Sequence, residues 1–455
     1  MNPNNSHIDR NDSAIDPQDA AAAETGRTLK QMGRAVKKNL NRQVQFMLNS
    51  CVNCGLCAES CHYYCATGDS DLIPANKFKK VHKILQTHFH PLKSRLPFLL
   101  KTDKFNEHLL TDLYKAAYEN CTLCGKCALT CPMGINTAEI LYLARAMLAA
   151  IGRLPSGLEK PVETFFKVGN YLDLTTADFI ETIEWFAEEM SDEIGEENFS
   201  IPIDKKNAEV LYIPHPLEVR DLPFLVMYAI KIFHFAGEDY TFSSHDFDTV
   251  NYAYYQGCKD NMMRIAQRML DARENLQAKH IALAPCGHGY RVMRWEVEKY
   301  LGKPFTFPPV QTIVELIDRY LRQGRIKLKK DTFAGPMTYH DPCNIARRGG
   351  VLQAPRNILQ ALTSTFVEMQ PRGARNYCCG GGLASTGDYG QLRITMGKKK
   401  AEQIRQTGAK VVVTNCFNCM TQIRDLNKAY ELNIEVKSIV ELVAESLNPN
   451  VATLG

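Results

Sequence analysis

The sequence lacks any apolar run of the roughly 18 residues that a membrane-spanning helix requires. Its best candidate, residues 222–235, is short and is interrupted by Lys231 and His234, which favours a buried helix. Charge of one sign is also scarce, because 54 basic residues against 50 acidic ones leave a net charge of only +4. Such a mild excess does not indicate nucleic-acid binding. A role at a membrane would therefore require a partner that holds the chain there.

Several cofactor and targeting signals are missing as well. Residues 1–12 lack the charged and apolar regions of a signal peptide. Residues 380–382 are glycines, but they do not meet the G-x-G-x-x-G pattern and no P-loop lysine follows them. These glycines are expected to let backbone N–H groups approach a cluster or to give a substrate tail room. No flavin or nicotinamide motif is found, which does not discriminate between functions because a partner could supply either cofactor.

Cysteine, by contrast, is abundant, with 16 in 455 residues. Two runs share the bacterial ferredoxin spacing C-x2-C-x2-C-x3-C. They consist of Cys51, Cys54, Cys57 and Cys61, and of Cys121, Cys124, Cys127 and Cys131. The first three thiolates of a run wrap one 4Fe–4S cubane, and the fourth typically reaches across to the other cluster. We therefore assign Cys131 to the first cluster and Cys61 to the second. This clustering favours metal ligation in a reducing cytoplasm over disulfides.

A third set of cysteines, near the C-terminus, has a different pattern. It combines a single thiol, an adjacent pair and a C-x2-C: Cys343, Cys378, Cys379, Cys416 and Cys419. Adjacent thiolates cannot both bind one tetrahedral zinc ion without strain, but they can bind two irons of one cluster. Five ligands also exceed the four of an ordinary zinc or cubane site. We interpret this set as an iron–sulfur catalytic centre.

The pattern of elements divides the chain into five segments. Residues 1–26 are polar and predict a disordered or extended arm. Residues 27–150 predict a helical ferredoxin-like domain with two clusters, and 151–207 predict an acidic helical connector. Strand and helix signals then alternate, with strand-like runs at 209–214, 238–242 and 280–285 and again at 337–342, 365–369 and 410–415. This alternation indicates a degenerate α/β repeat at 208–330 and a second α/β repeat, with the catalytic cluster, at 331–455. The predicted fold class is thus α+β combined with α/β.

The two α/β repeats match in the order of their elements but not in their thiols. The first repeat keeps only Cys258 and Cys286, too few for a five-thiol site. We therefore expect a single special cluster, in the second repeat, with the first repeat as the opposite wall of a cleft. His215, Cys258, Cys286 and His288 are candidates for lining that wall. The alternative is that they are structural remnants of a decayed site.

Two charged stretches and one extra thiol leave alternatives open. Residues 27–48 predict a helix, because apolar residues recur there at helical spacing. They carry six basic side chains and no acidic one, which indicates a solvated face or a docking surface for an acidic partner or anionic lipid. Residues 181–197 carry eight acidic side chains and no basic one, which indicates a solvated connector or a surface that faces a partner. Cys65 is expected to be an ordinary buried thiol.

The combined motifs resemble a known family. From Cys343 to Cys419 the spacing C-x34-CC-x36-C-x2-C is similar to the cysteine-rich CCG domain of heterodisulfide reductases. With a double ferredoxin motif ahead of it, the chain resembles the D subunit of membrane-bound heterodisulfide reductase and the related DsrK subunit of the complex associated with dissimilatory sulfite reductase. The resemblance implies that the five CCG cysteines hold a noncubane 4Fe–4S cluster. The degenerate first repeat departs from members with two complete CCG sites.

The resemblance also implies a function. The chain would be the iron–sulfur catalytic subunit of a membrane-associated, DsrMKJOP-type complex, peripheral on the cytoplasmic face of the inner membrane. It would exchange electrons between the quinone pool, through a membrane cytochrome b, and a disulfide or trisulfide such as that of the small sulfur-carrier protein DsrC. His340 and His288 are candidate proton donors to the leaving thiolate. The alternative for each is a structural hydrogen bond.

A second function remains open at this point. Related chains include iron–sulfur subunits of glycolate, lactate and glycerol-3-phosphate oxidising complexes, which relay electrons between a flavin subunit and quinone. The alternative is therefore an electron-transfer subunit of a flavin-linked dehydrogenase. The complete five-cysteine set favours the catalytic interpretation, although relay subunits can retain it. The direction of electron flow does not follow from the sequence, because hydrogen bonds around the clusters and partner subunits set the potentials.

Overall fold

The structure, a computed structural model, describes residues 17–90, 105–302, 304, 310–382 and 389–448. A helical N-terminal region is followed by two connecting helices and then by two α/β units. This arrangement confirms the predicted combination of a helical ferredoxin-like region with two α/β repeats. The helices of the N-terminal region and connector are α1 Pro17–Asn39, α2 Arg42–Ser50, α3 His62–Thr67, α4 Pro74–His88, α5 Glu107–Tyr114, α6 Lys126–Thr130, α7 Thr137–Ala149, α8 Ser156–Val168 and α9 Thr176–Ile194.

Helix α7 is the centre of the helical region. Its side chains are buried along nearly the whole helix, and α1 and α4 pack against it. The helix expected over 27–48 is divided in two, because Asn41 starts α2 by accepting a hydrogen bond from the Val44 N–H at 2.8 Å. Helix α1 begins at Pro17, inside the segment 1–26 for which composition predicts an arm. Residues 1–16 of that segment lie outside the described residues.

Both charged stretches lie on exposed helix faces. The six basic side chains of 27–48 are exposed, and Lys38 pairs with Asp260. The acidic side chains along α9 are exposed as well, and Glu193 pairs with Lys231 of the first α/β unit. Both stretches are therefore solvated faces, while a docking role for either remains a prediction.

The first α/β unit carries a four-stranded parallel sheet in the order β2-β1-β3-β4. Its strands are β1 Val210–Ile213, β2 Tyr240–Thr241, β3 His280–Leu283 and β4 Gln311–Thr312. Its helices are α10 Pro216–Arg220, α11 Pro223–Phe235, α12 Tyr252–Gln256, α13 Lys259–Asn275, α14 Gly287–Arg291, α15 Val297–Leu301 and α16 Ile313–Arg322. The apolar stretch 222–235 is thus mainly α11, a helix inside the unit.

The second unit repeats this topology, with the strand order β6-β5-β7-β8. Its strands are β5 Met337–Tyr339, β6 Phe366–Val367, β7 Val411–Thr414 and β8 Glu435–Ser438. Its helices are α17 Ala354–Leu362, α18 Gly390–Thr407, α19 Phe417–Tyr430 and α20 Ile439–Glu445. In each sheet the first residue of the leading strand pairs with the first residue of both neighbouring strands. The two units are therefore related as an internal repeat.

The alternation of side chains along the strands explains how the parts pack. In β7, Val411 and Val413 point into a core that the two α/β units share, where α16, α17 and α20 meet. Val412 points the opposite way, into a core shared with the helical region. Successive residues of a strand face opposite sides of a sheet, so each sheet is buried on both faces. The carboxyl ends of the strands are thereby held against the cysteine-rich helices.

Candidate metal centres

The first cavity lies between α2 and the loop that follows α6. It holds about 470 Å³ of empty space, including the part open to solvent. Four thiols line it: Cys51, Cys54, Cys57 and Cys131. Asn53 (φ +54°) and Gly55 (φ +78°) adopt left-handed backbone conformations, which turn the short loop so that its thiols face one space. Three thiols of the first run thus meet the last thiol of the second.

The second cavity repeats this arrangement with the roles exchanged. It holds about 360 Å³ of empty space and is lined by Cys61, Cys121, Cys124 and Cys127. Leu123 (φ +56°) and Gly125 (φ +72°) turn the loop here. The Leu123 N–H also donates to Cys121 Sγ at 3.4 Å. The grouping of the eight thiols in the two cavities is the same as the grouping that the spacing predicts.

The thiols in these cavities fit iron–sulfur clusters. Among the described residues all sixteen cysteines are free of disulfides. Burial raises the pKa of the Cys57 and Cys121 thiols, and it raises the pKa of Cys127 to about 12. Such pockets disfavour bare thiolates, whereas a bound metal deprotonates the thiols that ligate it. Two 4Fe–4S clusters, each held by four of these thiols, are compatible with both cavities.

The five thiols of the third set come together in the second α/β unit. Cys343 follows β5, Cys416 follows β7, and the adjacent pair lies on the loop before α18. Four of the five are buried, and Cys343 is partly exposed. Cys378 contacts Cys343 and Cys379, and Cys419 contacts Cys416. The loops at the carboxyl ends of two parallel strands therefore bring together thiols that are far apart in sequence.

The spacing of these sulfurs fits a metal centre better than a disulfide. Cys379 Sγ and Cys419 Sγ lie 3.3 Å apart, well beyond the roughly 2.05 Å of an S–S bond. Backbone donors are directed at the adjacent pair: Gly380 N–H points to Cys378 Sγ at 3.4 Å and Gly381 N–H to Cys379 Sγ at 3.3 Å. Hydrogen bonds of this kind tune the potential of iron–sulfur clusters. The five thiols are thus suited to hold one cluster with more than four protein ligands.

His340 lies directly behind the five thiols. Its side chain is fully buried, and its ring nitrogen is within 4.8 Å of Cys379 Sγ and Cys419 Sγ. Burial and the nearby Lys400 lower the pKa of His340, so the ring is neutral at pH 7. Asp341, the next residue, forms a buried two-point ion pair with Arg356 at 3.0 and 2.8 Å. This ion pair fixes the loop that leads to Cys343.

The first α/β unit forms the opposite wall of this site. A Cβ atom on Gly287 would lie 3.4 Å from Cys416 Sγ, which shows how closely the loop after Cys286 approaches the thiols. His288 Nδ1 lies 3.1 Å from the side-chain nitrogen of Asn418, in the C-x2-C loop. The ring of His215 packs on Phe417 of the same loop, with 4.7 Å between ring centres.

Cys286 and Cys258 are placed differently. Cys286 is buried beside Cys416, and burial raises the pKa of its thiol. Cys258 lies at the start of α13, near Tyr142 of the helical region. Of the four wall candidates, Cys258 is the one that no described contact brings to the five thiols. Cys65 is half-buried and donates to the Glu59 carbonyl at 3.2 Å.

The second cavity and the five-thiol site are adjacent. Cys124 and Cys378 belong to different sites, yet their sulfurs lie within 4.8 Å of each other and of a His62 ring nitrogen. Thr122 Oγ1 lies 3.6 Å from Cys378 Sγ. The sites therefore form a series: first cavity, second cavity, five thiols. No sequence pattern indicates His62 or Thr122, because only the packing of distant segments brings them to Cys378.

Comparisons with known proteins agree with this arrangement. The family described as 4Fe-4S dicluster domain matches residues 47–135, and the family described as cysteine-rich domain, CCG, matches residues 337–424. No described helix is long and apolar enough to cross a membrane.

Several curated proteins are similar over most of the chain. The Hdr-like menaquinol oxidoreductase iron-sulfur subunit 2 of Archaeoglobus fulgidus is 25% identical, with 90% of this chain and 81% of the relative covered. The D subunit of the dihydromethanophenazine:CoB--CoM heterodisulfide reductase of Methanosarcina barkeri is 26% identical, covering 90% and 96%. The EtfAB:quinone oxidoreductase of Syntrophomonas wolfei is 24% identical, covering 86% of this chain but 56% of the relative. The chain thus combines a 4Fe-4S dicluster domain with a cysteine-rich CCG domain, as an iron–sulfur oxidoreductase, and is similar to the D subunit of heterodisulfide reductase.

Proposed function

We propose that this chain is the catalytic subunit of a membrane-associated heterodisulfide reductase-like complex, with two 4Fe–4S cubanes and one noncubane 4Fe–4S cluster. The observation that carries the proposal is the position of the five thiols. They lie at the end of the series, buried, beside the second cavity and between two α/β units. A relay subunit needs no such terminal site with five thiols and a facing wall. The CCG cysteines proposed as ligands are Cys343, Cys378, Cys379, Cys416 and Cys419.

The reaction is the two-electron cleavage of a disulfide: R–S–S–R′ with two electrons and two protons gives R–SH and R′–SH. When bound, the clusters supply these electrons one at a time. The chain's own residues hold the substrate sulfurs between the two α/β units and exclude water from them. The backbone N–H groups of Gly380 and Gly381 are directed at Cys378 Sγ and Cys379 Sγ, where a bound cluster would place negative charge. The structure thus provides donors where charge develops.

Protons for the leaving thiolate come from the two histidines at the site. His288 projects from the first unit, and its pKa is lowered to about 4 by burial and by Arg291. His340 lies behind the adjacent pair, and its Nε2 has no hydrogen-bond partner among the described residues. Both rings are neutral at pH 7, so each relays a proton: one ring nitrogen gives its N–H proton to the leaving thiolate while the other nitrogen takes up a proton that originates in solvent.

The partners follow from the same proposal. Electrons are exchanged with the quinone pool through a membrane cytochrome b and the other subunits of the complex, which hold the chain at the cytoplasmic face. Cys54 is exposed, so the first centre is the one that a partner can reach. The disulfide or trisulfide substrate is carried by a small sulfur-carrier protein of the DsrC type. A flexible arm bearing a cysteine fits a cleft between two α/β units.

Electron paramagnetic resonance of the oxidised protein, with and without a small thiol, tests this function. We expect a paramagnetic state that appears only with thiol and that is lost in Cys378→Ser while the two cubane signals remain. Cys65→Ser is the matched control, because this thiol lies outside all three sites. A spectrum indifferent to thiol, together with normal electron transfer to quinone, contradicts the proposal and favours the relay function of flavin-linked dehydrogenases.

A further inference from the structure

We propose that three buried cations, Lys77, Arg145 and Lys400, raise the reduction potentials of the second centre and of the five-thiol centre above that of the first centre. The inference rests on the proposed function for its acceptor, a disulfide. Each of the three side chains lies beside the second or the third centre, and its hydrogen-bond partners among the described residues are carbonyl, amide or sulfur atoms rather than carboxylates. An uncompensated buried cation stabilises the reduced, more negative form of a nearby cluster.

Lys77 lies beside the second centre. It lies on α4 and is 2% exposed. Its ammonium is 3.5 Å from Cys61 Sγ and donates to the Asn120 carbonyl at 2.6 Å. It also lies 4.7 Å from the centre of the Tyr63 ring. Every partner of this charge is therefore a neutral group or a ligand thiol.

Arg145 reaches the same centre from α7. It is 4% exposed and donates to three backbone carbonyls, those of Ala117 at 2.9 Å, Tyr255 at 2.8 Å and Cys121 at 2.6 Å. Carbonyl groups satisfy its N–H donors without cancelling its charge, and a guanidinium stays protonated in proteins. A full positive charge is thus fixed beside a ligand of the second centre.

Lys400 lies near the five thiols. It lies on α18, is fully buried, and donates to Asn376 Oδ1 at 2.6 Å and Gln403 Oε1 at 2.7 Å. Burial lowers its pKa to about 8, while the nearby thiols, Cys379 foremost, favour its charged form. The carboxylate of Asp341 is engaged by Arg356. Lys400 therefore remains mainly charged at pH 7 and acts on the third centre.

The first centre has no such cation. The described side chains that line it are uncharged, and apolar groups form its rim: Val52, Leu56, Ala75, Met133 and Ile135. Val52 is 75% exposed and Leu56 is 60% exposed, so any charge outside this rim acts through water and is weakened. Among the described residues that line the first centre, no fixed cation therefore stabilises its reduced state. With clusters bound, each electron would oxidise one centre as it reduces the next, and two such electrons, with two protons, would cleave one disulfide.

Redox titration of the complete chain, followed by electron paramagnetic resonance without any substrate, tests the inference. We expect a lower midpoint potential for the first centre than for the second. Lys77→Met should shift the potential of the second centre downward and leave the first unchanged, and Lys77→Arg should restore it. Lys80→Met is the matched control on the same helix, since Lys80 is partly exposed and pairs with Asp71.

A second pair of variants tests the effect of Lys400 on the third centre. Lys400→Met should lower the potential of the five-thiol centre, while Lys398→Met, an exposed neighbour on α18, should not. If Lys77→Met fails to assemble clusters, Lys77→Gln and Lys400→Met carry the test. A first centre with the higher potential, or charge-removing variants that leave the spacing of the potentials unchanged, overturns the inference. Because no disulfide is present, this outcome is independent of the thiol experiment that tests the function.

Discussion

Adjacent Cys378 and Cys379 face different neighbours, although they are consecutive in the chain. Cys378 turns toward Thr122 and Cys124 of the helical region, and Cys379 turns toward His340 and Cys419. A consecutive pair is therefore useful here because it spans two environments, one on the side of the second centre and one on the side of the histidine.

Gly381 is a residue at which a single methyl group should matter. A Cβ atom there would lie 2.6 Å from the Asn418 carbonyl oxygen. We expect Gly381→Ala to cost about 1–3 kcal/mol, the usual range for overpacking, and to remove the five-thiol signal while the cubane signals remain. Thermal unfolding and electron paramagnetic resonance measure both effects. Gly390→Ala is the control, since nothing lies within 4 Å of its Cβ position; equal behaviour of the two variants would refute the close-packing argument.

His288 is the residue of the first unit that is expected to donate a proton to the leaving thiolate. It is 6% exposed, and its ring contacts Tyr255 with 4.4 Å between ring centres. If it donates the proton, His288→Gln should slow disulfide reduction roughly 10²-fold without changing iron content. His245→Gln, a change in an exposed ring of the same unit, is the matched control. An unchanged rate in His288→Gln assigns the residue a structural role instead.

At the scale of elements, the sequence predicts most strands and helices. It does not predict where they begin and end, nor strands β4 and β8. The six strands with strong apolar runs are found where the pattern indicates them. The pattern does not indicate strands β4 and β8, because β4 reads Gln-Thr and leads directly into α16, and β8 reads Glu-Val-Lys-Ser, a polar edge with little apolar signal. Asn41 divides one predicted helix in two through a side-chain cap, a local contact that periodicity does not reveal.

Helix α10 contains a buried carboxyl group that makes the stability of the fold depend on pH. Glu218 is buried, its carboxylate accepts from the His215 N–H at 3.1 Å, and burial raises its pKa from 4.5 to about 8. Because the folded pKa lies above the unfolded one, this group favours folding at low pH, and that contribution is lost as pH rises from about 4.5 to about 8.

Glu218→Gln should remove this part of the pH dependence. We expect the wild type to lose stability between pH 5 and pH 8, on the order of 1 kcal/mol per pH unit from this group, and the variant to lose less. Thermal midpoints across that range measure it. Glu197→Gln, an exposed change, serves as the control. A variant whose midpoint falls as steeply as that of the wild type contradicts the assignment to Glu218.

At the scale of the whole molecule, the sequence predicts the ligand sets but not how the centres are ordered and surrounded. Ligand spacing is local, so Cys51 to Cys61 and Cys121 to Cys131 are readily recognised. The proximity of Cys124 and Cys378 depends on packing between segments more than two hundred residues apart. Lys400 illustrates the same point, since a lysine among other lysines indicates a surface until the fold shows it buried.

The order of the centres predicts the order in which iron is lost. Cys54 is exposed, whereas four of the five thiols of the third set are buried. A chelator combined with a mild oxidant should therefore remove the first centre before the third. Time-resolved electron paramagnetic resonance measures this order. Loss of the five-thiol signal first would mean that its cleft is more open than the described side chains indicate.

The most direct test of the central claim is a count of thiols released when the chemically reduced protein meets a mixed disulfide of two small thiols. We expect two thiols for every two electrons delivered, with release abolished in Cys378→Ser and retained in Cys65→Ser. The contradicting result is a wild-type protein that passes its electrons to a quinone but releases no thiol from the disulfide.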